Sequence, residues 1–223
     1  MSLYARLVNE TQQEKAYLLS APIIQRCFEG DIDVNDYVAF LQQAYHHVKH
    51  TVPLLMAVGS RIPFEKEWLR DAVAEYIEEE KGHQEWVLND IAACGFDKEQ
   101  ARNSQPAIAT ELMVSYAYDA VQRINPLCFF GMVFVLEGTS IEMADAAANH
   151  INESTQVPDV AFSYLRSHGA LDQEHIVFFE NLMNRINDKQ EQDLIIHSAK
   201  VFFRLYGNIF HEMYANHGLT KAA

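Results

Sequence analysis

The feature that most limits the fold of this chain is where its helix breakers fall. There are nine glycines and six prolines in 223 residues, and most stand between apolar stretches of helical period. No alternating strand pattern is sustained and no fixed-length repeat appears. The chain therefore reads as all-α, a single-domain helical bundle spanning residues 1–223. An N-terminal helix is predicted over Leu3 to Leu19, and a short one after Pro22, closed by Gly30. Asp33, with Asp36 in the first turn, caps a helix that runs through Pro53, where a kink is expected. A second long helix runs from Glu65 to Cys94 and stops at Gly95. A third region begins near Pro106 and breaks at Asn125-Pro126, after which helical packing continues to His150. Pro158 opens another long helix, and the last spans Lys189 to His217.

Charge and cysteine use narrow the function classes. Acidic side chains exceed basic ones 31 to 17, a formal charge of −14. Such a field repels nucleic acid and anionic lipid, so neither is expected as a partner. No apolar run has the length of a membrane helix, and Met1 to Glu14 lacks the apolar centre of a signal peptide. Cys27, Cys94 and Cys128 lie in apolar helical text without paired spacing, as reduced thiols of a cytoplasmic protein would.

The chemistry is sought where ionisable residues interrupt apolar faces, because a buried charge needs a partner or a metal. Glu80 and His83 form a Glu-x-x-His pair about one helical turn apart, in line with Ile77 and Val87, while Glu78 and Glu79 read as solvated charges. On the Pro158 helix, His168, Asp172 and His175 share the side of Tyr164, Leu165, Leu171 and Phe178. A core histidine bonded to Asp172 is the bland reading of that triplet. Glu137 sits between Phe134 and Ile141; it needs a cation, or else a buried salt bridge to Arg123 or another helix, and Glu142 is a nearby alternative. On the Asp33 helix, Gln43, His47 and His50 form a stripe with His46 beside it. That stripe is either solvent-facing or turned to an internal site, with His47 the favoured inward residue. Gly82, Gly138 and Gly169 each stand close to a candidate ligand, which points to close helix approach or to space for a ligand. Carboxylates mixed with imidazoles suit iron, or manganese, better than a structural zinc site. Phe134, Tyr164 and Trp86 are candidate cavity walls, with plain core packing the alternative.

The helix order and the set Glu80, His83, Glu137, His168, Asp172 and His175 resemble the haem-oxygenase-like diiron oxidases. Their wider fold group contains TenA-type thiaminases and pyrroloquinoline-quinone synthase. The resemblance implies a seven-helix bundle, often a homodimer, with a central cavity and two irons that activate dioxygen to oxidise a small organic molecule. Those oxidases add a glutamate from the first core helix. Here Gln43 and the histidines stand in its place, and His47 is the expected substitute. The TenA pattern fits less well. Cys128 follows Pro126 only loosely in the expected context, and Gly207 occupies the place of the C-terminal glutamate. The aspartate expected within Gln42-Gln43-Ala44-Tyr45 is missing. Thiamin hydrolysis is disfavoured. Two other readings are a metal-free cofactor-processing enzyme of the same fold and a non-enzymatic small-molecule binder.

Overall fold

The structure is a computed structural model; it describes the backbone of residues 1–220 and their side chains outside 168–174 and 214–220. Twelve α-helices and no strand form among the described residues. The all-α reading holds. The helices are more often interrupted than the apolar periodicity predicts, and each interruption has a local cause.

The N-terminal segment is two helices, α1 (Leu3–Glu10) and α2 (Gln12–Leu19). Between them the buried Thr11 hydroxyl donates to the Leu7 carbonyl at 2.8 Å, a side-chain competitor for a helical acceptor. Helix α3 (Pro22–Phe28) starts on its proline, and Gly30 follows with φ +73°. Asp33 and Asp36 form the reciprocal cap that opens α4 (Val34–Val48): Asp33 accepts from the Asp36 amide at 2.9 Å and Asp36 from the Asp33 amide at 3.1 Å. The break attributed to Pro53 falls earlier, at Lys49–His50, before α5 (Thr51–Arg61). A proline ring collides with the carbonyl four residues back, here that of Lys49, so Pro53 is tolerated only in the first turn of a new helix.

The predicted helix from Glu65 to Cys94 is α6 (Glu67–Glu80) and α7 (His83–Ala93), divided at Lys81–Gly82. Gly82 takes φ +92°, a left-handed conformation that side chains disfavour. Glu80 and His83 therefore end one helix and begin the next, and are not two positions on a shared face. After the short α8 (Lys98–Arg102) comes α9 (Ile108–Asp119), whose first turn is capped from a distance. Gln43 Oε1 accepts from the Ala107 amide at 2.9 Å and the Thr110 hydroxyl at 2.7 Å. Asn125 then accepts from the Leu127 amide at 2.9 Å, and α10 (Cys128–Thr155) follows. Pro158 precedes one tight turn and α11 (Ser163–Met183), and α12 (Lys189–Thr220) completes the chain.

Helix α10 packs against both α11 and α12 and is buried continuously from Cys128 to Val135. Its approach to α12 depends on Gly131, where a Cβ would lie 2.6 Å from the Ala199 amide nitrogen. Ser198 donates to the Cys128 carbonyl at 2.7 Å across the same contact. Of the two readings for Gly138, close helix approach or open space, the structure shows open space, since an added Cβ would meet nothing within 4 Å. Gly169 lies outside the described side chains. No helix among the described residues is long and apolar enough to cross a membrane.

Candidate functional site

Helices α4, α5, α6, α10, α11 and α12 line a cavity of about 70 Å³. Its ionisable and hydroxyl-bearing lining comprises His47, Thr51, Tyr76, Glu80, Glu137, Ser140, Tyr164 and Tyr206. The rest of the wall is apolar, and no lysine or arginine appears among the described lining residues. Two carboxylates, Glu80 from α6 and Glu137 from α10, are thus brought to one largely apolar wall.

The three histidines of α4 part company. His47, 3% exposed, faces the cavity, with its ring edge-on to Tyr206 at 5.9 Å. His46 turns the other way: Nε2 is 2.8 Å from the Ser104 hydroxyl and Nδ1 is 3.2 Å from the Lys49 ammonium. Burial, followed by the Lys49 charge, pushes its pKa down to about 4. His50 pairs with the Tyr118 hydroxyl at 3.1 Å, and burial lowers its pKa as well. Gln43 is occupied by the cap of α9.

Glu80 reaches the cavity from the last turn of α6 and also meets His83, with Oε2 to Nδ1 at 3.0 Å. The reversal at Gly82 allows this contact across two helices. Trp86 stacks on the His83 ring with centroids 4.1 Å apart, so it orients that imidazole and does not line the cavity. Glu137 projects from α10. Arg123, one of the salt-bridge partners considered for Glu137, is exposed and paired with Asp119, while Glu142 is held by Lys15.

Tyr164 lines the cavity, as expected of a wall. Phe134 instead faces a separate pocket with Tyr4 and Phe203. His175 is not a lining residue; its Nε2 lies 3.1 Å from Glu79 Oε2. Glu79 is exposed, as is Glu78, which pairs with Lys81. His168 and Asp172 lie outside the described residues. No three histidine, cysteine, aspartate or glutamate side chains among the described residues are assembled as a metal-binding group. Of the candidate ligands, His47, Glu80 and Glu137 line the cavity, His83 touches Glu80, and His175 meets the lining Tyr76 edge-on with ring centroids 6.2 Å apart. Their oxygen and imidazole donors suit iron or manganese in chemistry.

Tyr76, Ser140 and Tyr206 were not singled out from the sequence. Tyr76 stands four residues before Glu80 and Ser140 three after Glu137, on the same helical faces, so the spacing rule could have found both. Tyr206 adjoins Gly207, whose missing Cβ would lie 3.0 Å from the Tyr17 ring, so α2 occupies that side of α12. The thiols add nothing to the site. Burial raises the pKa of Cys27 and Cys94 to about 11 and raises that of Cys128 as well, leaving three unpaired, weakly acidic core residues.

The helical order and this multi-helix cavity define an all-α protein of haem-oxygenase-like fold. Residues 38–207 match the family described as iron-containing redox enzyme, and the chain belongs to that family. The match runs from α4 into α12 and includes His47, Glu80, His83, Glu137 and Tyr206. Among solved structures, the chain is similar to a Shewanella denitrificans domain of unknown function with a heme oxygenase-like fold. The TM-score is 0.88 and identity 21%, covering 98% of this chain and 94% of that one. It is also similar to a TenA homologue from Pseudomonas syringae, with TM-score 0.77, 13% identity and coverage of 96% and 93%. Heme oxygenase-1 from Synechocystis, solved with heme, superposes with TM-score 0.76 at 13% identity, covering 100% and 96%. At these identities the likeness is one of fold. No curated protein sequence matches the chain.

Proposed function

We propose that this member of the iron-containing redox enzymes is an oxidase or oxygenase that uses dioxygen to oxidise a small organic metabolite at a dinuclear iron site. The observation that carries the reading is the placement of Glu80, Glu137 and His47 around one largely apolar cavity. His83, in contact with Glu80, extends the donor set, and His168, Asp172 and His175 of α11 are the further proposed ligands. His47 stands where the related oxidases have a glutamate. Iron, when bound, supplies the one-electron chemistry that dioxygen requires.

The chain's own residues have three tasks. Glu80 and Glu137 reach the cavity from α6 and α10 and would hold an iron ion there through their carboxylate oxygens. Trp86 fixes the His83 ring and leaves Nδ1 directed at Glu80, as an orienting partner does for a ligand imidazole. Tyr76, Tyr164 and Tyr206 line the cavity with aromatic surface that would limit the water around a bound ion.

Anaerobic titration of metal-depleted protein with ferrous ion tests this, followed by mixing with oxygenated buffer. Close to two irons per chain, oxidised on mixing, is the expected result; no ferrous binding overturns it. The Glu80–His83 contact also serves a metal-free acid–base enzyme, since a carboxylate beside an imidazole tunes proton transfer. Turnover unaffected by chelator would identify that case.

A further inference from the structure

A second chamber, of about 100 Å³, lies against the polar cavity and shares Ser140, Tyr164 and Tyr206 with its wall. It is formed by α3, α4, α10, α11 and α12, and its character is opposite. Ile24, Phe40, Met143, Leu165 and Phe210 line it, and α10 turns Ala144 and Ala147 towards it. Those two alanines carry nothing beyond Cβ, which leaves the space open. Asp36 is the sole acidic or basic side chain among the described lining residues. Its carboxylate is already engaged by Arg26 at 3.2 Å and by the Asp33 amide at 3.1 Å. Nothing in the described wall recognises an anionic head group. Phe28, 39% exposed, stands where the chamber meets solvent.

An apolar pocket of this kind holds water poorly and gains free energy by taking in an apolar ligand. Pockets that pair an apolar body with a few convergent polar groups are the usual form of a small-molecule site. The chemical contrast runs along one axis, from the apolar chamber through the shared Ser140, Tyr164 and Tyr206 to Glu80, Glu137 and His47. We infer that the second chamber holds the body of the substrate, and that the substrate is a small molecule with an uncharged alkyl or aryl body. Its polar, reacting end passes the three shared residues into the carboxylate-lined cavity. The assignment of the reacting end rests on the proposed oxidase reading; the assignment of the apolar body does not.

The test titrates the full-length, metal-free protein with toluene by calorimetry and measures ferrous binding separately on the same preparations. Saturable one-to-one binding of toluene is expected. Ala144→Phe and the milder Ala147→Leu fill the chamber and should each weaken it by about tenfold or more while ferrous stoichiometry stays at the wild-type value. Leu112→Ala, at an exposed site on α9, should leave toluene binding unchanged. The milder variant keeps the test open if the larger side chain prevents folding. Absence of saturable toluene binding, or binding unchanged in both filling variants, overturns the inference whatever the iron result. Toluene binding with no iron binding would instead overturn the oxidase reading and leave the apolar chamber's ligand class standing.

Discussion

Asp90 is fully buried on α7, and its carboxylate does for α11 what no residue of α11's own N-terminus does. It accepts from the Ser163 amide at 3.1 Å, the Ser163 hydroxyl at 2.5 Å and the Tyr164 amide at 2.8 Å. The negative charge sits at the positive end of a helix of 21 residues. Asp90→Ala removes the acceptor and leaves two amide donors of the first turn without it. Each hydrogen bond to a charged acceptor is worth about 1.5–3 kcal/mol, and an orphaned buried donor costs about 1–3 kcal/mol. Burial pushes the Asp90 carboxyl above its ordinary range, against the pull of the Ser163 and Tyr164 bonds, so desolvation offsets part of the gain. A net loss of about 3 kcal/mol follows, which for a domain of this size lowers Tm by roughly 6–12 °C. Asp90→Asn keeps one oxygen but turns an NH₂ towards a donor, and should lose about half as much. Guanidinium melts with an unchanged m-value are the assay. An Asp90→Ala variant within about 0.5 kcal/mol of wild type would refute the idea that α7 anchors the start of α11.

Other outcomes follow from particular contacts. Gly131→Ala places a Cβ against the α12 backbone and should destabilise by about 2–3 kcal/mol in a denaturant melt, whereas Gly138→Ala, with open space around it, should stabilise by about 0.5–1 kcal/mol. His46 is buried with its pKa lowered from 6.5 to about 4, so the fold favours its neutral form. Its stabilising contribution is complete above pH 6.5 and is lost as pH falls towards 4, a change of up to about 3 kcal/mol that His46→Gln should flatten in stability measured against pH. Glu137→Gln removes one of the two cavity carboxylates and should weaken ferrous binding by about tenfold or more, with secondary structure by circular dichroism unchanged.

The helical class was legible because breakers and periodicity are local properties. Asp33 with Asp36, Asn125 before Pro126, and the glycines Gly30 and Gly95 act on their own few residues, and each terminates or caps where expected. His47 was separable from His46 and His50 by its apolar neighbours, a signal carried within one helix. What the sequence concealed depends on pairing between helices. Gly82 reads equally as a mid-helix glycine or as a left-handed break. Gly131, where α12 presses on α10, looks like any glycine in apolar text. Gln43 and Asp90 act as caps for helices 64 and 73 residues away, distances over which no spacing rule operates. Trp86 was predicted as a wall for its aromatic surface and instead packs on its neighbour His83, a local contact that competes with facing the cavity.

The central claim is that the carboxylates of α6 and α10 and the imidazole of α4 surround an iron site. Crystals of protein loaded anaerobically with ferrous ion, measured on either side of the iron absorption edge, test it most directly. Anomalous peaks are expected inside the cavity lined by Glu80, Glu137 and His47. Iron found only elsewhere, or a cavity without iron in crystals of protein that retains ferrous ion in solution, would contradict it.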